Sequence, residues 1–143
     1  MPRVRMIALF LILGGTVFGT LGTLHAVYTL LDLRNPQRLV PADPSVAQAM
    51  AHSSLRLSAG RTDMWRAWIG FNFSHSLGLL ILAALAVWVG SRANTIPSGI
   101  MPALTLIGCV YVVLAVLYCF RAPAIGVAIG TGCFAAAWLL SLR

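Results

Sequence analysis

Residues 64–89 read MWRAWIGFNFSHSLGLLILAALAVWV, an apolar run in which Arg66 is the only charged residue. A helix crosses a hydrocarbon core of ~30 Å with about 20 residues, so this run can cross a bilayer with some tilt. Trp65, Arg66 and Trp68 at its start are typical of the headgroup level, and Asp63 before them suits a helix cap. The run therefore predicts a transmembrane helix.

Three further apolar runs extend the same interpretation to the whole chain. We expect an all-α membrane protein, a single domain over residues 1–143 built as a four-helix transmembrane bundle with helices at about 6–31, 64–89, 99–120 and 123–142. The first run also has the arginines and apolar core of a secretory signal. A signal's apolar region lasts only about 7–15 residues, however, and this run continues further, so the sequence favours a membrane span.

Composition and charge support a membrane protein and exclude an ordinary soluble domain. Hydrophobic residues make up 59% of the chain and charged residues 9%, whereas charged residues form about a quarter of soluble domains. All ten basic residues are arginines, and the net charge is +7. Because the arginines are dispersed, contact with anionic lipid headgroups is favoured over nucleic acid. We expect a multi-pass protein of the cell membrane, with an orientation that the arginines do not decide.

The segment between the first two spans, residues 32–63, is the predicted extramembrane loop. Asp43-Pro44 is a typical helix start, with a capping side chain followed by proline. The helix that it begins is predicted to end at Gly60, either as a membrane-surface helix or as a plain loop helix. Its expected apolar face consists of four residues: Val46, Met50, Ser53 and Leu57.

Polar residues inside the first two spans form the one cluster that suggests chemistry. Asn72, His75 and Ser76 share a stripe of the second span, and His25 lies on the first. Counted from the loop end at about 1.5 Å per residue, His25 lies ~10 Å deep, Asn72 ~12 Å and His75 ~16 Å, so they can meet. Tyr111 and Cys133 come to similar depths. The candidate ligand-binding residues are His25, Tyr28, Trp68, Asn72, His75, Ser76 and Tyr111, in a pocket that opens toward the loop.

The cluster leaves several functions open. We expect a binding or accessory protein that uses the His/Asn pocket for a small lipophilic ligand or a partner membrane subunit. The alternative is a membrane-embedded enzyme, or a haem or quinone redox protein, that uses His25 and His75. A third interpretation is packing alone, with His25 hydrogen-bonded to Asn72 or Ser76. No cofactor is assigned and no metal site is predicted, since a third zinc ligand would have to come from Cys133.

Small residues recur every four positions at Gly15/Gly19, Gly70/Ser74/Gly78 and Gly126/Gly130. Such patterns permit close approach of helix backbones. They indicate either close contacts between helices inside one bundle, which we favour, or a homo-oligomer interface.

Two short motifs carry a family resemblance. With Trp68-Ile69-Gly70-Phe71-Asn72-Phe73-Ser74-His75 and Gly22-Thr23-Leu24-His25, the chain resembles a family of small uncharacterised bacterial four-span membrane proteins. These proteins share a Trp-x-Gly-Phe-Asn-x-Ser-His stretch in the second helix and a Gly-x-x-His near the end of the first. The resemblance covers nearly the whole chain and implies the four-span architecture, but it implies no activity. It singles out His25, Asn72, Ser74 and His75.

Overall fold

The computed structural model describes residues 2–92, 99–119 and 121–142. In these ranges the chain forms five α-helices: α1 (Pro2–Asp32), α2 (Pro44–His52), α3 (Met64–Ser91), α4 (Ile100–Tyr118) and α5 (Arg121–Ser141). All except α2 are long and apolar enough to cross a membrane. The predicted all-α bundle with four membrane-spanning helices is therefore confirmed, and the observed bounds lie within a few residues of the expected ones.

The helix in the loop begins as predicted. The Asp43 carboxylate accepts the N–H of Ser45 at 2.8 Å, and Pro44 occupies the first helical position. The Ser45 hydroxyl and N–H together hold the pKa of Asp43 below its ordinary value. A capping side chain and a proline that needs no N–H partner thus begin α2.

The predicted end of that helix at Gly60 is wrong, because α2 ends at His52. Ser53 is extended, and its carbonyl accepts the N–H of Met64 at 2.9 Å. This antiparallel pairing with the start of α3 uses backbone groups that a longer helix would need. Leu57, expected on the apolar face of α2, instead lies in a short 3₁₀ turn at Arg56–Ser58 and is fully exposed.

The contacts of the chain define two compact units, Met1–Leu21 with Leu79–Arg143, and Gly22–Gly78. The first unit holds the apolar core, which draws on all four long helices. At its centre the buried Phe18 ring stacks on Phe134, with centroids 5.4 Å apart, and meets Tyr111 edge to face at 5.9 Å. Interlocked aromatic rings therefore join α1, α4 and α5.

Two glycines of the first unit allow α1 and α5 to approach closely. A Cβ atom at Gly14 would lie 2.6 Å from the Phe134 ring, and one at Gly130 would lie 2.8 Å from the Phe18 ring. In each helix, therefore, a glycine leaves room for an aromatic ring of the other helix. The small-residue patterns at Gly15/Gly19 and Gly126/Gly130 also pack inside this unit, as an internal seam requires.

The second unit has a different interior. Its buried side chains are all polar: Thr29, Asp32, Asn72 and Ser76. Polar groups that are removed from water require hydrogen-bond partners, and the partners found here define the candidate site.

Candidate functional site

The second unit brings three of the predicted site residues together where α1 and α3 face each other. The His25 Nε2 atom lies 2.9 Å from the Asn72 Oδ1 atom. The rings of His25 and His75 pack edge to face, with centroids 5.1 Å apart and planes at 69°. Asn72 and His75 share one face of α3 because they are three residues apart. We call these three residues the His/Asn cluster.

The orientation of the Asn72 amide assigns the proton on His25. The Asn72 Nδ2 group donates to the Trp68 carbonyl at 2.8 Å, and a carbonyl can only accept. The amide oxygen must therefore face His25, so the His25 Nε2 atom carries the hydrogen and donates it. In the neutral ring, Nδ1 is then the acceptor nitrogen.

Two hydroxyls beside the cluster are used within their own helices. Ser76 Oγ donates to the Asn72 carbonyl at 2.9 Å, and Thr29 Oγ1 donates to the His25 carbonyl at 2.8 Å. Bonds of this kind satisfy a buried hydroxyl without an interhelical partner. Ser76 thus lies one helical turn from Asn72. Its hydroxyl donates to a backbone carbonyl of the same helix and not to the His25 ring.

A row of rings along α3 leads to the cluster. The Trp68 and Phe71 rings are nearly parallel, with centroids 6.5 Å apart, and the same spacing separates Phe71 from His75. Trp68 is 37% exposed and Phe71 is 64% exposed. Both rings are exposed on a helix that is long and apolar enough to cross a membrane. We call Trp68, Phe71 and His75 the aromatic row. Phe71 was not among the predicted site residues, although its spacing from Trp68 and His75 carried the signal.

The loop is tied to both helices by one buried carboxylate. Asp32 is 1% exposed and accepts the backbone N–H groups of Gln37, Arg38 and Leu39, the last at 2.6 Å. The Leu39 carbonyl in turn accepts the Trp68 indole N–H at 2.7 Å. A single peptide segment therefore links the end of α1 to the beginning of α3. Sequence reasoning missed this role of Asp32.

Tyr28 and Trp68, two of the predicted ligand-binding residues, contact this loop segment. The Arg38 guanidinium lies 5.6 Å over the Tyr28 ring, within the range of a cation–π interaction. The same side chain lies 3.8 Å from Asp32. Both aromatic side chains thus help to hold the loop.

Tyr111 belongs to the other unit, where its ring packs against Phe18, and its place in a ligand site stays a prediction.

Within the described ranges 2–92, 99–119 and 121–142, no three His, Cys, Asp or Glu side chains are grouped so as to hold a metal ion. The His25 and His75 rings are in direct contact, so the plane of a haem cannot stand between them. The arrangement does not fit one haem held by both histidines.

Comparisons with protein families, with curated proteins and with solved structures give no match. The fold and the cluster together define the class, which is an all-α multi-pass membrane protein with a polar cluster within two of its membrane-spanning helices.

Proposed function

We propose that this protein is a membrane binding protein whose His25 and His75 side chains hold a small lipophilic ligand that enters from the lipid. The observation that carries the proposal is the direct contact of two half-buried imidazoles within membrane-spanning helices. Polar and ionisable side chains are costly at such positions, and where they occur they commonly mark substrate or ligand sites.

Packing alone accounts for only part of this arrangement. An interhelical hydrogen bond such as His25–Asn72 contributes ~0.6–2 kcal/mol in a membrane, and that bond needs one histidine. A second imidazole, at His75, packs against the first and against Phe71, and a polar ring within a membrane-spanning helix carries a desolvation cost that a phenylalanine ring would not. Two such rings in contact favour a binding role.

The proposal divides the cluster into two roles. His25 and His75 contact the ligand, whereas Asn72, which is 4% exposed and bonded through both amide atoms, orients His25. The exposed ring of Phe71, beside His75, gives the ligand a path from the lipid that avoids the loop held by Asp32. This path differs from the loop-side entry that the sequence suggested.

The test is extraction of the protein into polymer nanodiscs with its native lipids, followed by mass spectrometry of the small molecules. We expect a lipophile enriched over bulk lipid in the wild type and reduced about tenfold in His75→Phe. A tenfold change corresponds to ~1.4 kcal/mol, the size of one hydrogen bond. Phenylalanine keeps the ring volume, so the fold should survive the change.

The matched control is His52→Gln, which changes the histidine on the exposed loop helix. It should retain the lipophile at the wild-type level. The same small-molecule profile in the wild type and in His75→Phe would contradict the proposal.

A further inference from the structure

We infer that the ligand is a lipophile with a hydroxyl group on a flat ring, a phenol or quinol headgroup, whose O–H donates to the Nδ1 atom of His25. The inference rests on the proposed function and adds the chemical class of the ligand. Two independent features support it, the fixed tautomer of His25 and the aromatic row.

The first feature selects a donor. Because His25 Nε2 donates to Asn72, the Nδ1 atom of the neutral ring can only accept. Reversing the tautomer would require the Asn72 amide to turn, and its oxygen would then face the Trp68 carbonyl, which is also an acceptor. A ketone or quinone oxygen would thus meet an acceptor at Nδ1. The selection of a hydrogen-bond donor therefore rests on His25 alone.

The second feature selects a ring. Trp68 and Phe71 lie with their planes 22° apart, and Phe71 and His75 lie 16° apart. A flat headgroup can lie along this exposed row with its hydroxyl at the imidazoles and its tail in the lipid, and aromatic contacts stabilise a complex beyond the area that they bury. A fatty alcohol would supply the same hydroxyl and leave the row uncovered.

The test uses three probes with the same ten-carbon tail in phosphatidylcholine nanodiscs: 4-decylphenol, its methyl ether and decylubiquinone, each at the same mole fraction. Chemical shifts of ¹⁵N-labelled histidine report both the tautomer and binding. The chain has three histidines, and His52, on the loop, is the internal reference. Before any probe is added, we expect His25 to carry its hydrogen on Nε2.

With the probes we expect the phenol to move the His25 Nδ1 resonance and to bind about tenfold more tightly than its ether. That ratio corresponds to ~1.4 kcal/mol. In Asn72→Leu the tautomer should no longer be fixed and the preference for the phenol should fall. Wild-type His25 protonated on Nδ1 would overturn the inference, even if Asn72→Leu fails to fold.

Two binding outcomes separate this inference from the function on which it rests. Equal or tighter binding of the ether or the quinone at His25 and His75 would overturn the donor class and leave the proposed function standing. A fourth probe, 1-decanol, has a ten-carbon tail and a hydroxyl but no ring. An absence of shifts at both histidines with all four probes would overturn both the inference and the proposed function. Shifts with 1-decanol equal to those with the phenol would overturn the ring requirement.

Discussion

Replacing Asp32 by Asn should raise the hydrogen-exchange rates of the Gln37, Arg38 and Leu39 amides about thirtyfold. The carboxylate accepts all three N–H groups, and the amide that replaces it has one acceptor oxygen and no charge. Hydrogen bonds to charged groups contribute ~1.5–3 kcal/mol each, and a loss of about 2 kcal/mol in local opening corresponds to about thirtyfold in rate. Exchange measured by mass spectrometry on a peptide covering residues 33–42 tests this.

Asp43→Asn is the matched control, because it makes the same chemical change in the same loop. Asp43 is an exposed helix cap that accepts the Ser45 N–H, and Asn caps a helix about as well as Asp. Its effect on exchange in the 33–42 peptide should be small. Equal exchange in the two variants would show that Asp32 does not hold the loop.

Replacing Gly14 by Ala should destabilise the first unit by about 1–3 kcal/mol, the cost of overpacking a close-packed interior. The new Cβ atom would lie 2.6 Å from the Phe134 ring and 2.9 Å from the Gly130 carbonyl. The ring is fixed by its stack on Phe18, and the carbonyl belongs to the backbone of α5. Neither can move without separating the helices. The free energy of unfolding, measured by titration with sodium dodecyl sulfate, tests the prediction.

Gly132→Ala supplies the comparison on α5. A Cβ atom at Gly132 meets nothing within 4 Å, and Ala has a helix propensity better than that of Gly by up to ~1 kcal/mol. This variant should be as stable as the wild type or slightly more so. If the Gly14→Ala variant were as stable as Gly132→Ala, α1 and α5 would not be in close contact at Gly14 and Gly130.

The long helices could be predicted because hydrophobic length alone determines them in a membrane. The pairing of His25 with Asn72 was also predictable, since depth along two antiparallel helices follows from the rise per residue. The end of α2 was not. It depends on Ser53 and Leu55 pairing with residues 62–64, and such contacts leave no helical period in the sequence.

Sequence periodicity could not predict the role of Asp32 either, for a different physical reason. Its three hydrogen bonds depend on the backbone conformation of residues 33–39, which turns the N–H groups inward. Depth counting likewise gave Tyr111 a height along its helix but could not give the direction of its side chain. Periodicity identifies a helix face, whereas a loop or a rotamer is determined by contacts.

The most direct test of the His/Asn cluster is the distance between its two imidazoles in lipid bilayers, measured by solid-state NMR. In His52→Gln only His25 and His75 remain among the three histidines, so ¹³C,¹⁵N-labelled histidine reports on this pair alone. Dilution with unlabelled protein removes contacts between chains. We predict strong ring-to-ring cross-peaks, as a centroid separation of 5.1 Å requires. Rings more than about 10 Å apart, too far for even a water-bridged contact, would contradict a single site.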